Sequence, residues 1–356
     1  MPSSPTSSRL FSKACYLILV LLALEASARL AWKLDRNVPF FHPQRLIDGF
    51  YKDLGPVRNQ TLSPDDGYFD ILLLGGSVMS KFYPVARILD EQLNYQATQP
   101  TRMHNLAYPA HTSRDSLYKY QELKDKHFDL VILYHGINET RSNNCPPQVF
   151  KQDYSHHAWY RFVQQTRRHA ELPYTILPYT LHFLWITLQE TLGSAELVSF
   201  RRVRPEWRHY GADIKTAASY RDNLVAILEL AEEKAEPVLL LTFAYYIAPG
   251  YTLEKFAAKQ LDYTLHKPDT PIEVWGAPAN VAKGIDTHNR ISRTLARRYG
   301  HVTLVDQDEL MPHNGRYYLD ICHLTVAGAT RWVEHVVRAV LSIRRRHHDS
   351  ENMAPP

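Results

Sequence analysis

The stretch Asp70-Ile71-Leu72-Leu73-Leu74-Gly75-Gly76-Ser77 decides the fold of this chain. Its apolar run is short and continuous, which is typical of a buried parallel strand. The two glycines predict a tight turn where the strand ends, and a helix is expected to follow over residues 85–93. The pattern therefore places the Ser77 side chain at the carboxyl end of a strand.

The same strand and helix unit recurs along the chain. Further strands are predicted at 103–107, 129–134, 238–243 and 301–305, and helices at 113–124, 217–234, 280–299 and 326–343. This alternation predicts an α/β fold in which helices cover both faces of a parallel sheet. In such sheets, functional sites lie beyond the carboxyl ends of the strands. The residues that follow each apolar run are therefore the candidates for function.

Residues 1–34 are expected to be a signal peptide or a membrane anchor. Ala14–Leu24 is an uncharged apolar run behind two basic residues, and Ala26–Ala28 offers a cleavage site. The helical pattern nevertheless continues to Leu34, with Glu25 and Arg29 spaced to form an ion pair. The uncharged run is short for a bilayer span, whereas the longer stretch is just able to cross. Cleavage and retention both stay open.

The sequence pattern divides the rest of the chain into three regions. Residues 35–69 are predicted to be a spacer, 70–346 the main domain, and 347–356 a flexible tail. Within the main domain, an aromatic-rich insertion at about 141–215 interrupts the alternation. The insertion is interpreted as a helical subdomain, with a lid over the site or a membrane-contacting surface as the alternatives. His182, Gln189 and Glu190 argue against a second transmembrane span.

Composition excludes several classes of protein. The chain has 356 residues, of which 45% are hydrophobic and 22% charged, so it is not of a disordered or fibrous type. A net charge of +4 gives no strong field for nucleic acid, and no nucleic-acid partner is expected. The three cysteines show no metal-binding spacing, so neither a metal nor another cofactor is expected. Cys145 and Cys322 are the one pair expected to be able to form a disulfide in an oxidising compartment.

Three positions at predicted strand ends carry side chains suited to acyl chemistry. Ser77 is a candidate nucleophile, and Asn138, behind Gly136, is an amide able to donate to an oxyanion. Asp320 precedes His323 by three residues, so its carboxylate is able to orient the imidazole as a general base. Each position taken singly also fits a turn, a helix cap or a surface residue.

Together these blocks resemble the SGNH hydrolase superfamily, also called GDSL esterases and lipases. Leu74–Ser77 matches the nucleophile block, with Gly76 where many members have Asp, and Gly136–Asn138 and Asp320–His323 match two further blocks. The second block is matched less closely, because Ala110 occupies the position of a glycine whose N–H joins the oxyanion hole. The change keeps the donor but puts the loop geometry in doubt, since alanine tolerates positive φ poorly.

The resemblance implies a three-layer, flavodoxin-like fold and a serine esterase. Ser77, Asp320 and His323 would be the catalytic residues, and Ser77, Ala110 and Asn138 would form the oxyanion hole. The expected substrate is an ester-bearing small molecule, lipid or polysaccharide, with an acetyl or other short acyl group as one case. The expected location is exported or membrane-anchored, with the catalytic domain outside the cytoplasm. The alternatives are an O-acyltransferase acting on an envelope polysaccharide and a non-catalytic carbohydrate-binding or scaffold protein.

Overall fold

The computed structural model describes residues 5–62, 66–97, 99–169, 175–193, 197–198, 203–264 and 270–353. The chain forms two compact units. Unit 1 comprises residues 1–55 and 155–198, and unit 2 comprises residues 56–154 and 199–356. The strands are β1 Phe69–Gly75, β2 Thr101–Asn105, β3 Leu130–Tyr134, β4 Val238–Leu241 and β5 Val302–Val305. The α-helices are α1 Pro5–Arg36, α2 Leu54–Arg58, α3 Pro84–Gln96, α4 Ser113–Gln121, α5 Ile137–Thr140, α6 Ala158–His169, α7 Leu177–Thr191, α8 Thr216–Glu233, α9 Leu253–Ala257, α10 Pro278–Arg298, α11 Gln307–Leu310 and α12 Val326–Met353.

Unit 2 is built on a parallel five-stranded sheet in the order β2-β1-β3-β4-β5. The apolar run of β1 lies at its centre, and Ile71–Leu74 are fully buried. The chain moves from β1 to β2 in one direction and from β3 onward in the other. The order of strands therefore reverses at β1 and β3, which is where open α/β sheets bind their ligands.

The helices of unit 2 form two layers. Helix α3 packs against α12, while α4 packs against α8 and α8 against α10. Because strand crossovers are right-handed, helices that follow steps in opposite directions along the sheet cover opposite faces. The predicted three-layer α/β fold is confirmed. Each predicted strand and helix is present with bounds shifted by a few residues, except that the last helix continues well beyond residue 343.

Two stretches differ from their predicted states. The predicted spacer contains a 3₁₀ helix, Pro43–Gly49, and α2, because Leu46, Tyr51 and Leu54 are buried and order the chain. The predicted flexible tail begins inside α12, which continues to Met353. After Gly328 no glycine or proline interrupts the chain before Pro355, so nothing local ends the helix at residue 346.

Unit 1 is helical, as expected for the insertion, but only residues 155–198 of the insertion belong to it. Trp32 of α1 is buried among aromatic rings, with centroid distances of 6.0 Å to Phe50, 5.4 Å to Tyr179 and 5.0 Å to Phe183. The segment Arg9–Arg36 of α1 is long and apolar enough to cross a membrane. By length and composition it fits either an anchor or a signal sequence.

Candidate active site

Ser77 lies directly after β1, in a 3₁₀ turn that spans Ser77–Met79. The Ser80 backbone N–H and hydroxyl both donate to the Ser77 carbonyl, at 2.9 and 2.6 Å, and so close the turn. The Ser77 side chain points to the end of the sheet where β1 and β3 meet, and only 8% of the residue is exposed. A reactive hydroxyl here would be held in one place and largely shielded from water.

His323 is brought to Ser77 by the loop that precedes α12. Its Nε2 lies 2.8 Å from Ser77 Oγ, and its Nδ1 lies 2.6 Å from Asp320 Oδ2. The two residues are 246 positions apart in the chain, so the contact is purely tertiary. The structure thus joins Ser77, His323 and Asp320 in one hydrogen-bonded line.

The Asp320 carboxylate is fully buried and surrounded by donors. Its Oδ1 accepts from the backbone N–H groups of Cys322 and His323, and its Oδ2 accepts from the Thr270 N–H and from His323 Nδ1. These bonds satisfy both oxygens of a carboxylate that has no access to water. Asp320 is therefore fixed in an orientation in which it holds the imidazole with Nδ1 protonated and Nε2 facing the serine.

Two aromatic residues that sequence reasoning did not identify, Tyr83 and Trp275, flank this line, and the Trp275 ring centroid lies 6.5 Å from that of His323. The Tyr83 ring stacks on the His323 imidazole, with a centroid distance of 4.2 Å and an interplanar angle of 6°. Burial and the neighbouring Asp320 carboxylate raise the pKa of the Tyr83 phenol, so it stays neutral. The neutral ring therefore covers one face of the imidazole. Tyr83 follows Ser77 by six residues, but no sequence pattern marks it.

Asn138 lies in α5, directly after β3, and both ends of its amide are bonded. Its Nδ2 donates to the His111 carbonyl at 2.9 Å, and its Oδ1 accepts from Trp275 Nε1 at 3.0 Å. Because an indole N–H only donates, the Trp275 contact fixes which amide atom is oxygen. A Cβ on Gly76 would lie 2.8 Å from Asn138 Nδ2, so glycine leaves the room that this amide occupies.

Ala110 has φ of +66°, the left-handed conformation that glycine adopts easily. Its loop is tied to the sheet by the bond from the Tyr108 N–H to the Gly75 carbonyl. Among the described residues, neither the Ala110 N–H nor the Ser77 N–H donates to another protein group. The loop therefore keeps the glycine-type conformation although the residue is alanine.

Buried ionisable groups lie behind this loop. Burial and the Lys119 ammonium lower the pKa of His111 to about 3, so the ring is neutral and its Nδ1 accepts from Lys119 Nζ at 2.7 Å. Glu139 accepts from the Ser113 N–H at 2.6 Å, and burial raises the pKa of its carboxyl to about 7. These contacts hold the part of the loop that follows Ala110.

The cysteines do not pair. Cys145 and Cys322 are both free and buried. Asp320, Cys322 and His323 offer ligand atoms within 4.8 Å of one another. Burial and the Asp320 carboxylate raise the pKa of the Cys322 thiol, however, and a protonated thiol is a poor metal ligand. The carboxylate and the imidazole already bond to each other, so this arrangement fits a hydrogen-bonded pair better than a metal site.

No protein-family model matches the chain, and no curated protein matches it. Solved structures are similar to it. A GDSL-like lipase from Bacteroides thetaiotaomicron is 11% identical, with 83% of this chain and 98% of that chain covered and a TM-score of 0.44. An acetylxylan esterase from Geobacillus stearothermophilus is 13% identical, with coverages of 76% and 92% and a TM-score of 0.40. A lipase/acylhydrolase from Enterococcus faecalis is 12% identical, with coverages of 76% and 94% and a TM-score of 0.37. At such low identity, the function rests on this chain's own residues.

Proposed function

We propose that this protein is a serine esterase that hydrolyses an ester through an acyl-enzyme at Ser77. The observation that carries the proposal is the line from Ser77 Oγ through His323 to Asp320, with distances of 2.8 and 2.6 Å. These are the distances and the order of groups that activate a hydroxyl for attack on a carbonyl.

In the first half-reaction, Ser77 Oγ attacks the ester carbonyl carbon while His323 Nε2 takes the hydroxyl proton. The tetrahedral intermediate collapses, the C–O bond to the alcohol breaks, and His323 gives its proton to the leaving alcohol oxygen. Water then attacks the acyl-enzyme with His323 again as the base, and the acid leaves. Asp320 stabilises the imidazolium in both halves and does not itself take the proton.

The oxyanion would be held by the N–H groups of Ser77 and Ala110 and by the second hydrogen of Asn138 Nδ2. Support comes from the two backbone N–H groups, which have no acceptor among the described residues, and from the fixed orientation of the amide. One such donor contributes about 3 kcal/mol of transition-state stabilisation in comparable sites.

The substrate in this proposal is an ester-bearing small molecule, lipid or polysaccharide. The proposed location of the catalytic unit is outside the cytoplasm, exported or held at a membrane by residues 1–34. The proposed location rests on α1, which is long and apolar enough for export or for anchoring.

The test is labelling of the full chain, in detergent micelles, with a fluorophosphonate, together with turnover of short-chain p-nitrophenyl esters. We expect labelling and turnover in the wild type and their loss in Ser77→Ala and His323→Ala. Ser342→Ala, a serine of α12 that accepts a bond from Arg346, serves as the matched control and should behave as wild type. If the folded wild type does not react with the fluorophosphonate, the proposal is wrong and a non-catalytic binding or scaffold protein is favoured.

The second candidate is transfer of the same acyl group to a sugar hydroxyl. The 8% exposure of Ser77 and the aromatic rings of Tyr83 and Trp275 beside His323 favour it, because a shielded acyl-enzyme loses less to water. Measuring free acid and acylated sugar as the acceptor concentration rises separates the two. Free acid as the sole product at every concentration would exclude transfer to that acceptor.

A further inference from the structure

Helix α7 of unit 1 carries an apolar face that no described residue covers. The side chains on this outer face recur at helical spacing and are between 47% and 76% exposed. They fall within one stripe of about 100°, as expected for a helix that lies against an apolar surface. The outer face of α7 consists of Leu181, Leu184, Trp185, Leu188 and Leu192.

The opposite side of α7 is already used for packing. Tyr179 and Ile186 are each 1% exposed, and Phe183 contacts Trp32 of α1 with a centroid distance of 5.0 Å. An ordinary surface helix would be polar on the other side. Helix α7 instead has two apolar faces, and among the described residues of the unit only the inner face has a partner.

The threonines of α7 do not need water to satisfy their hydroxyl groups. Thr180, Thr187 and Thr191 each donate to the carbonyl four residues earlier, at 2.8, 2.9 and 2.8 Å. This bonding is how serine and threonine are accommodated in helices that contact lipid. Polar residues of α7 therefore do not exclude an apolar environment for its outer face.

Helix α1 has the features of a membrane span and would bring α7 to a bilayer. Leu10–Leu24 exposes large apolar side chains on all sides, and almost none of its most apolar window is buried in the protein. A helix that is apolar all round and not buried in protein fits a membrane span. Leu30 and Leu34, further along α1, are also exposed, at 50% and 77%.

Helices α1 and α7 are tied to each other by polar contacts as well. The Glu25 carboxylate accepts from the N–H groups of Ile176 and Leu177, each at 2.9 Å, and from the Thr175 hydroxyl at 2.7 Å. Backbone N–H groups at the start of a helix have no acceptor within the helix, and Glu25 provides one for these two. Cleavage after Ala28 would remove the Glu25 acceptor from the unit.

We propose that α1 is retained as a membrane anchor and that the outer face of α7 is a second lipid-contacting surface, seated in the bilayer beside α1. The occupant is lipid because the apolar surface of α7 is attached to a helix of membrane-spanning length. Trp185 is the side chain type that favours the membrane interface. His182 and Gln189 border the outer face on one side and limit how deeply α7 enters.

The test places a fluorescent nitrobenzoxadiazole group at Leu188→Cys in the full chain, reconstituted in vesicles of phosphatidylcholine and phosphatidylglycerol. Cys15→Ala removes the one native cysteine that is not buried. Glu190→Cys is the matched control, since it lies on the same helix about 200° away. We expect blue-shifted emission from position 188 and loss of most of its intensity with doxyl-labelled lipid, with neither effect at position 190.

Three results would overturn the proposal. If the emission wavelength at position 188 equals that at position 190, the outer face is in water. A blue shift without doxyl quenching would mean that protein, such as a second copy of this chain, covers the face. The intact mass of the same sample tests retention of α1, because a chain that begins at Arg29 would show cleavage.

Discussion

Ala110 holds a backbone conformation that an L-residue adopts at a cost. A left-handed residue other than glycine costs roughly 1–2 kcal/mol, part of which the entropy of glycine in the unfolded chain offsets. We expect Ala110→Gly to raise the free energy of unfolding by up to about 1 kcal/mol, as measured by chemical denaturation. Ala235, with φ of +54°, is a matched position outside the site, and Ala235→Gly should stabilise similarly.

A third variant, Ala226→Gly, should change the free energy of unfolding in the opposite direction. Ala226 lies in the middle of α8, and glycine there should destabilise by about 1 kcal/mol because of its lower helix propensity. Equal destabilisation by Ala110→Gly and Ala226→Gly would show that the φ of Ala110 is not a source of strain.

Trp275 acts on the site through Asn138. Trp275→Phe removes the N–H that bonds to Asn138 Oδ1 and lets the amide rotate. Loss of one hydrogen bond of about 1–1.5 kcal/mol predicts a fall in kcat of roughly tenfold, with little change in KM. Asn138→Ala should cost more, about 10²–10³ in kcat.

The double variant distinguishes positioning from general damage. Asn138→Ala with Trp275→Phe should be no slower than Asn138→Ala alone, because Trp275 then has no amide to orient. Multiplied losses would contradict the positioning role. Trp207→Phe, which lies outside the site, is the control for loss of an indole.

At the scale of elements, the start of α7 depends on a carboxylate supplied by α1. Glu25→Ala leaves the N–H groups of Ile176 and Leu177 without their acceptor, which costs about 1–2 kcal/mol for a helix cap. Hydrogen exchange at these two amides should therefore accelerate by roughly 5–30-fold. Asp35→Ala removes the same charge from the same helix without uncapping α7, and it should leave both amides unchanged.

At the scale of the whole molecule, the stability of unit 2 is expected to depend on the ionisation of Glu139. Burial raises the pKa of this carboxyl from 4.5 to about 7, so the folded state binds its proton more tightly than the unfolded state does. The protonated Glu139 carboxyl makes its full contribution to the free energy of unfolding below pH 4.5, and this contribution is lost as the pH rises toward 7. The expected decrease in the free energy of unfolding is about 3 kcal/mol over that window.

Glu139→Gln keeps an acceptor for the Ser113 N–H but does not titrate. Its denaturation free energy should change less between pH 4.5 and 7 than that of the wild type, by the amount that Glu139 contributes. Glu229→Gln, on the exposed side of α8, should follow the wild type. Parallel pH curves for Glu139→Gln and the wild type would rule out the titration of Glu139.

The sequence by itself determined the order of strands and helices, the α/β class and the residues at the strand ends. Local rules were sufficient, because an apolar run such as Ile71–Leu74 and the glycines after it act within a few residues. The same rules marked Ser77, Asn138, Asp320 and His323, since each stands directly after a strand or in a loop before a helix. The doubt about the loop geometry at Ala110 was also local, but the loop keeps a positive φ at this alanine.

Only the tertiary structure decided which distant groups meet. Tyr83 on His323, Trp275 on Asn138 and Glu25 at the start of α7 join residues that no periodicity links. The association of residues 155–198 with 1–55 is of the same kind, as is the second apolar face of α7. The physical reason is that side-chain packing and buried hydrogen bonds depend on three-dimensional distance, whereas strand and helix patterns depend on separation along the chain.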